Sequence, residues 1–79
     1  MMTQEEIKKA TLAALIEIAP EINVDGIVSN VNFRDQFDFD SMDFLTFTLA
    51  LEERLKIEIP LADYPKLSNL DGCIAYLSK

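Results

Sequence analysis

The sequence predicts an all-α domain, folded as an antiparallel four-helix bundle with a long loop after the first helix and a short third helix. Apolar residues recur at intervals of three and four over two long stretches, which is typical of helices that bury one face. Hydrophobic residues make up 49% of the chain and only two residues are glycine, a composition that suits helix packing. The length of 79 residues fits one domain, residues 1–79. A single cysteine and no histidine exclude an internal disulfide and disfavour a structural zinc site.

The first helix is predicted over residues 3–19. Thr3 and Glu6 have the spacing of a capping box, in which each side chain accepts a hydrogen bond from the other residue's backbone N–H. Apolar residues then recur at helical intervals until Pro20, which cannot continue the pattern. These apolar residues are Ile7, Ala10, Ala14, Leu15 and Ile18.

Residues 20–40 show no sustained period and are predicted to form the long loop. Turn-forming residues are frequent in it, among them Asn23, Gly26 and Asn32. Apolar residues are nevertheless spaced through the whole stretch, and they are Val24, Ile27, Val31, Phe33, Phe37 and Phe39. A loop with such regular apolar anchors is expected to lie across the core and attach to it, as long functional loops do.

The second long helix is predicted over residues 41–56, which contain no glycine or proline. Either Asp40 or Ser41 fits its N-cap, and Asp43 lies in its first turn, near the positive end of the helix dipole. After this helix, residues 57–60 are expected to be extended, because the residue before a proline avoids the helical region. Residues 61–64 are expected to form one brief turn before Pro65.

The last helix is predicted from a second capping signature, Ser68 with Asp71. Its apolar face comprises Leu70, Cys73, Ile74 and Leu77. The predicted core of the whole domain consists of Ile7, Leu15, Ile18, Phe47, Leu51, Leu55, Ile74 and Leu77.

The second long helix carries two apolar stripes, although a helix that packs on one side needs only one. The first stripe comprises Phe44, Phe47, Leu51 and Leu55, and the second comprises Met42, Leu45 and Leu49. Either this helix is buried nearly all round, or the second stripe is exposed and contacts partners. Because so small a domain has little protein to cover both sides, we favour a partner surface rimmed by Asp43, Glu52 and Glu53.

The chain is strongly acidic, with a net charge of −7 and a pI near 4.3. Such a charge repels nucleic acids and anionic membrane surfaces, and it favours protein partners with basic patches. No apolar run approaches the ~20 residues that span a bilayer, and the acidic N-terminal segment lacks the pattern of a signal peptide. We therefore expect a cytoplasmic monomer that contacts neither nucleic acid nor membrane.

Ser41 lies in the segment Phe-Asp-Phe-Asp-Ser-Met-Asp-Phe, where a turn is expected to become a helix. Its hydroxyl fits two roles, an N-cap or a group presented to another enzyme for modification. A role as a hydrolase nucleophile does not fit, because the chain has neither histidine nor a Gly-x-Ser-x-Gly turn. A calcium loop starting at Asp38 fails too, since Leu49 stands where that loop needs glutamate. No catalytic residue and no metal site are predicted.

The chain resembles the acyl carrier protein family, which includes fatty-acid, polyketide and peptidyl carriers. The hallmark of that family is Asp-Ser-Leu at the start of its second helix, and this sequence has Asp40, Ser41 and Met42 followed by Asp43. Further similar segments are residues 5–9, 33–37, 50–53 and 59–60. The resemblance covers nearly the whole chain and implies the four-helix fold of that family.

The resemblance also implies a prosthetic group, 4′-phosphopantetheine, joined to Ser41 through a phosphodiester and flanked by Asp40 and Met42. A phosphopantetheinyl transferase would install it from coenzyme A, and its distal thiol would carry acyl groups as thioesters. Other implied partners are acyl or ketoacyl synthases, acyltransferases, and acyl or aminoacyl ligases. The family's partner-contacting positions correspond to Asp43, Leu45, Thr46, Leu49, Glu52 and Glu53. The chain itself would not be an enzyme.

Some residues depart from the family pattern. Asp38 stands where glycine is usual, Thr46 stands where an acid is common, and Phe44 and Phe47 are bulkier than usual. We interpret these changes as signs of a specialised fatty-acid or polyketide-type pathway. Two alternatives stay open: a carrier of aminoacyl, D-alanyl or peptidyl groups, and an unmodified acidic adaptor that binds partners through the second long helix.

Overall fold

The structure is a computed structural model that describes residues 2–78. Its α-helices are α1 (Gln4–Ile18), α2 (Phe33–Gln36), α3 (Ser41–Leu55) and α4 (Leu70–Leu77). Two 3-10 segments, Val24–Gly26 and Leu61–Leu67, lie between them, and residues 2–78 contain no strand. The predicted all-α class is confirmed. None of the helices in this part of the chain combines the length and hydropathy needed to cross a bilayer.

Helix α1 begins at the capping box that the sequence predicts. The Thr3 hydroxyl accepts a hydrogen bond from the Glu6 N–H at 3.1 Å, and Glu6 Oε1 accepts one from the Thr3 N–H at 3.0 Å. The hydrogen bond from the Thr3 backbone lowers the pKa of Glu6, because it favours the ionised carboxylate. The predicted capping box is therefore confirmed, and Ala19 ends the helix just before Pro20.

The three longer helices pack together, with α1 against both α3 and α4. Arg54 Nη2 lies 2.9 Å from Glu17 Oε2, which joins the last turns of α3 and α1. This packing agrees with the predicted four-helix bundle. The long connection, residues 19–40, links α1 to α3 and contains the short helix α2.

The core is built from helices and connections together. Of the predicted core residues, Ile7, Leu15, Phe47, Leu51 and Leu77 are buried, whereas Ile18, Leu55 and Ile74 are half-buried and pack against them. The long connection lies across the core as predicted, because Phe33 and Phe39 are buried. Two threonines are also buried, and their hydroxyls are satisfied by donating to backbone carbonyls one helical turn earlier: Thr11 to Ile7 and Thr48 to Phe44.

The third helix is longer than predicted. Leu61–Leu67 is a 3-10 segment that continues through Pro65, instead of ending before it. Short 3-10 segments make few backbone hydrogen bonds, so the missing N–H of a proline disrupts them less than it disrupts an α-helix.

The N-cap of α4 also differs from the predicted one. Asn69 Oδ1 accepts a hydrogen bond from the Gly72 N–H at 2.7 Å, and Asn69 rather than Ser68 is the N-cap. The Ser68 hydroxyl instead donates to the Pro65 carbonyl at 2.6 Å, so it is already engaged with the 3-10 segment.

The end of α3 gives a prediction about stability. Lys56 ends this helix in the left-handed region, at φ 54° and ψ 49°. Because a residue with a Cβ costs about 1 kcal/mol more than glycine in that region, Lys56→Gly is expected to raise the free energy of unfolding by about 1 kcal/mol. Urea denaturation followed by circular dichroism measures the change. The matched Lys8→Gly variant, in the middle of α1, is expected to lose about 1 kcal/mol. An equal loss in both variants would contradict the left-handed end of α3.

Candidate functional site

All five phenylalanines of the chain pack around the approach to Ser41. Phe33, Phe39 and Phe47 are buried in mutual contact, with ring centroids 5.5 to 5.9 Å apart. Phe37 and Phe44 contact Phe39 at 5.6 and 6.3 Å. Most of these pairs meet edge to face, an arrangement that stabilises aromatic contacts beyond simple burial. This aromatic cluster joins α2, the α2–α3 connection and α3.

The α2–α3 connection holds acids outward and phenylalanines inward. Successive side chains of an extended chain point to opposite sides, and residues 37–40 read Phe-Asp-Phe-Asp. Phe37 has an extended backbone, with φ −151° and ψ 171°. Phe39 is buried whereas Asp38 and Asp40 are exposed. Burial of the phenylalanines therefore fixes where α3 begins.

Helix α3 begins with a capping box that leaves the Ser41 hydroxyl free. Asp40 Oδ1 accepts a hydrogen bond from the Asp43 N–H at 2.9 Å, and Asp43 Oδ2 accepts one from the Asp40 N–H at 3.2 Å. Asp40 is thus the N-cap, and the N-cap interpretation of Ser41 is wrong. Ser41 is the first residue of α3, its side chain is exposed, and within residues 2–78 its hydroxyl has no hydrogen-bond partner.

The backbone beside this hydroxyl is suited to an anion. The Asp43 N–H is bonded to Asp40, and the Phe44 N–H donates to the Asp40 carbonyl at 2.9 Å. The N–H groups of Ser41 and Met42 come before them in the first turn, where helices have no internal acceptors. Unpaired first-turn N–H groups and the helix dipole both stabilise a negative group at such a position.

The outer face of α3 is apolar and exposed. Met42, Leu45 and Leu49 are 69%, 39% and 53% exposed, so the interpretation in which α3 is buried all round is wrong. The stripe starts next to Ser41 and continues for two turns along the helix. Thr46 lies beside it, exposed, with its hydroxyl donating to the Met42 carbonyl at 3.0 Å.

The two glutamates of this helix differ in their surroundings. Glu53 is exposed, whereas Glu52 is half-buried and its Oε2 accepts a hydrogen bond from the Ile59 N–H at 3.2 Å. Glu52 therefore holds the chain that leaves α3, a role that sequence spacing did not indicate. The proposed contact of Glu52 with partners stays a prediction. Because Glu53 is exposed, a substitution there is the better test of a partner contact.

A cleft of about 310 Å³ opens beside Ser41. Four of its nine lining residues are aromatic, namely Phe33, Phe39, Phe44 and Tyr64, and Arg34 and Ser41 are among the other five. Tyr64 belongs to the 3-10 segment Leu61–Leu67, which follows α3 in the chain. Sequence reasoning allowed for a seam between helices but did not locate this cleft, because nothing local relates residue 64 to residues 33–44. The run of phenylalanines before and after Ser41 was the available signal.

The thiol of Cys73 is buried and protonated. Cys73 is buried, and burial raises the pKa of its thiol to about 12, so it stays protonated at neutral pH. Within residues 2–78 no group of three or more His, Cys, Asp or Glu side chains is placed to hold a metal ion.

Comparisons with known proteins identify the family of this chain. A family model described as the phosphopantetheine attachment site matches residues 9–77. The acyl carrier protein of Lactobacillus johnsonii is 34% identical over 76 residues, which cover 96% of this chain and 94% of that protein. The acyl carrier protein of Lactobacillus acidophilus is 33% identical with the same coverage. The meromycolate extension acyl carrier protein of Mycolicibacterium smegmatis is 31% identical over 98% of this chain and 77% of its own length.

The cap at Asp40 gives a prediction that separates the effect of its hydrogen bond from the effect of its negative charge. Asp40→Ala removes the acceptor for the Asp43 N–H and is expected to lower the free energy of unfolding by about 1 kcal/mol. Asp40→Asn keeps an acceptor at the same place and is expected to stay within a few tenths of a kcal/mol of the wild type. Urea denaturation of the three proteins measures both values. An asparagine variant as unstable as the alanine variant would mean that the charge, and not the hydrogen bond, stabilises α3.

Proposed function

Because this chain belongs to the phosphopantetheine attachment family of acyl carrier proteins, we propose that Ser41 is the residue that bears its arm. The protein is a non-catalytic carrier, and its prosthetic group is covalent 4′-phosphopantetheine. Ser41 is chosen because it is the first residue of α3 and its hydroxyl is exposed. Within residues 2–78 this hydroxyl has no hydrogen-bond partner.

The residues around Ser41 suit a phosphodiester. The carboxylates of Asp40 and Asp43 accept hydrogen bonds from each other's backbone and are held in the cap. Unpaired N–H groups in the first turn of a helix and the positive end of its dipole would stabilise a phosphate on Ser41. The aromatic cluster holds the backbone just before Ser41, so the attachment point is a fixed pivot.

The attachment step is chemically simple for this chain. The Ser41 oxygen forms a new bond to the phosphorus that bears the pantetheine in coenzyme A. The bond between the two phosphates breaks, adenosine 3′,5′-bisphosphate leaves, and the hydroxyl proton passes to a base of the transferase. The carrier needs to supply only an accessible hydroxyl, which agrees with the lack of a histidine in the sequence.

Once attached, the group supplies a flexible arm whose terminal thiol holds an acyl group as a thioester. A tethered cargo has a high local concentration near any enzyme that docks on the carrier. We propose that docking uses the exposed stripe of α3, namely Met42, Leu45 and Leu49, with Asp43, Thr46 and Glu53 beside it. The partners proposed are the phosphopantetheinyl transferase and acyl-processing synthases, acyltransferases or ligases that present basic patches, because this chain has a net charge of −7.

The relatives support an acyl cargo. The similar proteins reported above are acyl carriers, which favours acyl over aminoacyl, D-alanyl or peptidyl groups. Family membership also disfavours an unmodified adaptor. We propose a specialised fatty-acid or polyketide-type pathway and a cytoplasmic monomer, on the same sequence features that predicted them.

The attachment residue gives a prediction about loading. Incubation with coenzyme A and a promiscuous phosphopantetheinyl transferase is expected to add the mass of one phosphopantetheine group to the wild type and nothing to Ser41→Ala. Thiol titration of the folded proteins at pH 8 is expected to find one reactive thiol after loading and none before, because the pKa of Cys73 is about 12. A mass gain in Ser41→Ala would assign the arm to another residue.

The exposed face of α3 gives a prediction about docking. Glu53→Lys reverses an exposed charge beside the apolar stripe and is expected to slow arm transfer about 3- to 10-fold at low salt, with a smaller effect at high salt. The measurement is the initial rate of transfer at two ionic strengths. Glu21→Lys is the matched control, since Glu21 is exposed and lies outside α3. Equal slowing in both variants would show a general charge effect and no docking surface on α3.

A further inference from the structure

Arg34 is an isolated positive charge in an acidic part of the chain. It is the only basic residue between Lys9 and Arg54, and every other charged residue in that stretch is Asp or Glu. Its side chain is exposed, and within residues 2–78 it has no ion-pair partner, not even the adjacent Asp35. The guanidinium is therefore available to bind an anion.

Arg34 and Ser41 line the same cleft, whose volume is about 310 Å³. Arg34 is the only charged residue among those that line it, because the neighbouring carboxylates lie outside the lining. A compact space of this volume is about 8 Å across, which is shorter than the Debye length of about 10 Å at 0.1 M salt. Salt would therefore screen the attraction between this guanidinium and an anion on Ser41 only in part.

A phosphodiester on Ser41 would add a negative charge beside several carboxylates. Asp38 and Asp40 are exposed just before it, and Asp43 lies in the same helical turn. Like charges at such short range repel one another. Backbone N–H groups of the first turn supply only partial positive charges, whereas Arg34 supplies a full one.

We infer that Arg34 binds the phosphodiester of the arm on Ser41 and offsets its charge among the surrounding carboxylates. A phosphodiester has two free oxygens that share one negative charge. The planar guanidinium can donate to both oxygens at once, whereas the ammonium group of a lysine acts as a point charge. This inference rests on the proposed attachment of the arm to Ser41.

Buried rings fix the backbone at Arg34 relative to Ser41. Phe33, directly before Arg34, is fully buried, and its ring centroid lies 5.9 Å from that of Phe39 and 5.5 Å from that of Phe47. Phe39 precedes Ser41 in the chain and Phe47 follows it. The residue that would bind the phosphate and the residue that would bear it are thus held by one set of packed rings.

Gln36 fixes the backbone on the other side of Arg34. Its Oε1 accepts a hydrogen bond from the Val28 N–H at 2.7 Å, and its Nε2 donates to the carbonyls of Val28 and Val31 at 2.8 and 2.6 Å. Helix α2 has only four residues, and these bonds attach its end to the preceding loop. Because the backbone is already ordered, only the Arg34 side chain loses freedom when it binds.

The direct test is ¹⁵N NMR of the arginine Nε–H groups, before and after the arm is loaded from coenzyme A. Arg34 and Arg54 are the only arginines of the chain, so the spectrum contains two such signals. Loading is expected to move the Arg34 signal and to slow its exchange with water, and the shift is expected to shrink when salt rises from about 0.1 M to about 1 M. Arg54 is the internal control, because it pairs with Glu17 at 2.9 Å and its signal is expected to stay in place.

Melting temperatures give an energetic test that variants sharpen. Loading is expected to change the melting temperature of Arg34→Gln by about 2–4 °C less favourably than that of the wild type, because the new charge is no longer offset. Arg34→Lys keeps the charge without the planar fork and is expected to fall between them. Arg54→Gln is the matched control, and loading is expected to affect it as it affects the wild type.

Two results would overturn the inference. One is an Arg34 signal that stays in place on loading, in a protein whose mass shows the arm. The other is an equal effect of loading on the melting temperatures of the wild type and Arg34→Gln. Failure of loading itself, seen as no mass gain, would instead count against Ser41 as the attachment residue.

Discussion

The position of Ser41 depends on the packing of phenylalanine rings that precede and follow it in the chain. Phe39 is buried two residues before Ser41, and Phe47 is buried in the second turn of α3. Their rings lie 5.9 Å apart, so the backbone between them has little freedom to move. The capping box of Asp40 and Asp43 then completes the helix start without using the serine. A hydroxyl is left exposed on a backbone that is fixed on both sides.

This arrangement lets α3 serve two purposes. Its inner face, with Phe47 and Leu51, belongs to the core, whereas Met42, Leu45 and Leu49 face solvent. The domain thus uses the same helix to hold the attachment point and to present a surface beside it. Three of the clustered rings, those of Phe33, Phe39 and Phe44, also line the cleft next to Ser41.

Much of this architecture could be predicted from local patterns in the sequence. The capping box of Thr3 and Glu6, the extent of α3 and the two stripes on it all depend on residues within one or two turns of each other. The features that sequence reasoning missed depend on longer-range contacts or on short elements. Helix α2 has only four residues, too few for a hydrophobic period. Ser68 is engaged with Pro65 and leaves the cap to Asn69. Glu52 bonds the backbone of Ile59, and the cleft requires Tyr64 to reach α3, which no spacing rule indicates.

We propose that the arm of this carrier is joined to Ser41, the residue that follows the buried part of the aromatic cluster. The most direct test is fragmentation mass spectrometry of the intact protein purified from its own host, which locates the modification among Ser29, Ser41, Ser68 and Ser78. The account predicts phosphopantetheine on Ser41 alone. Phosphopantetheine on any of the other three serines would contradict it, as would a protein isolated without the group that also cannot be loaded in vitro.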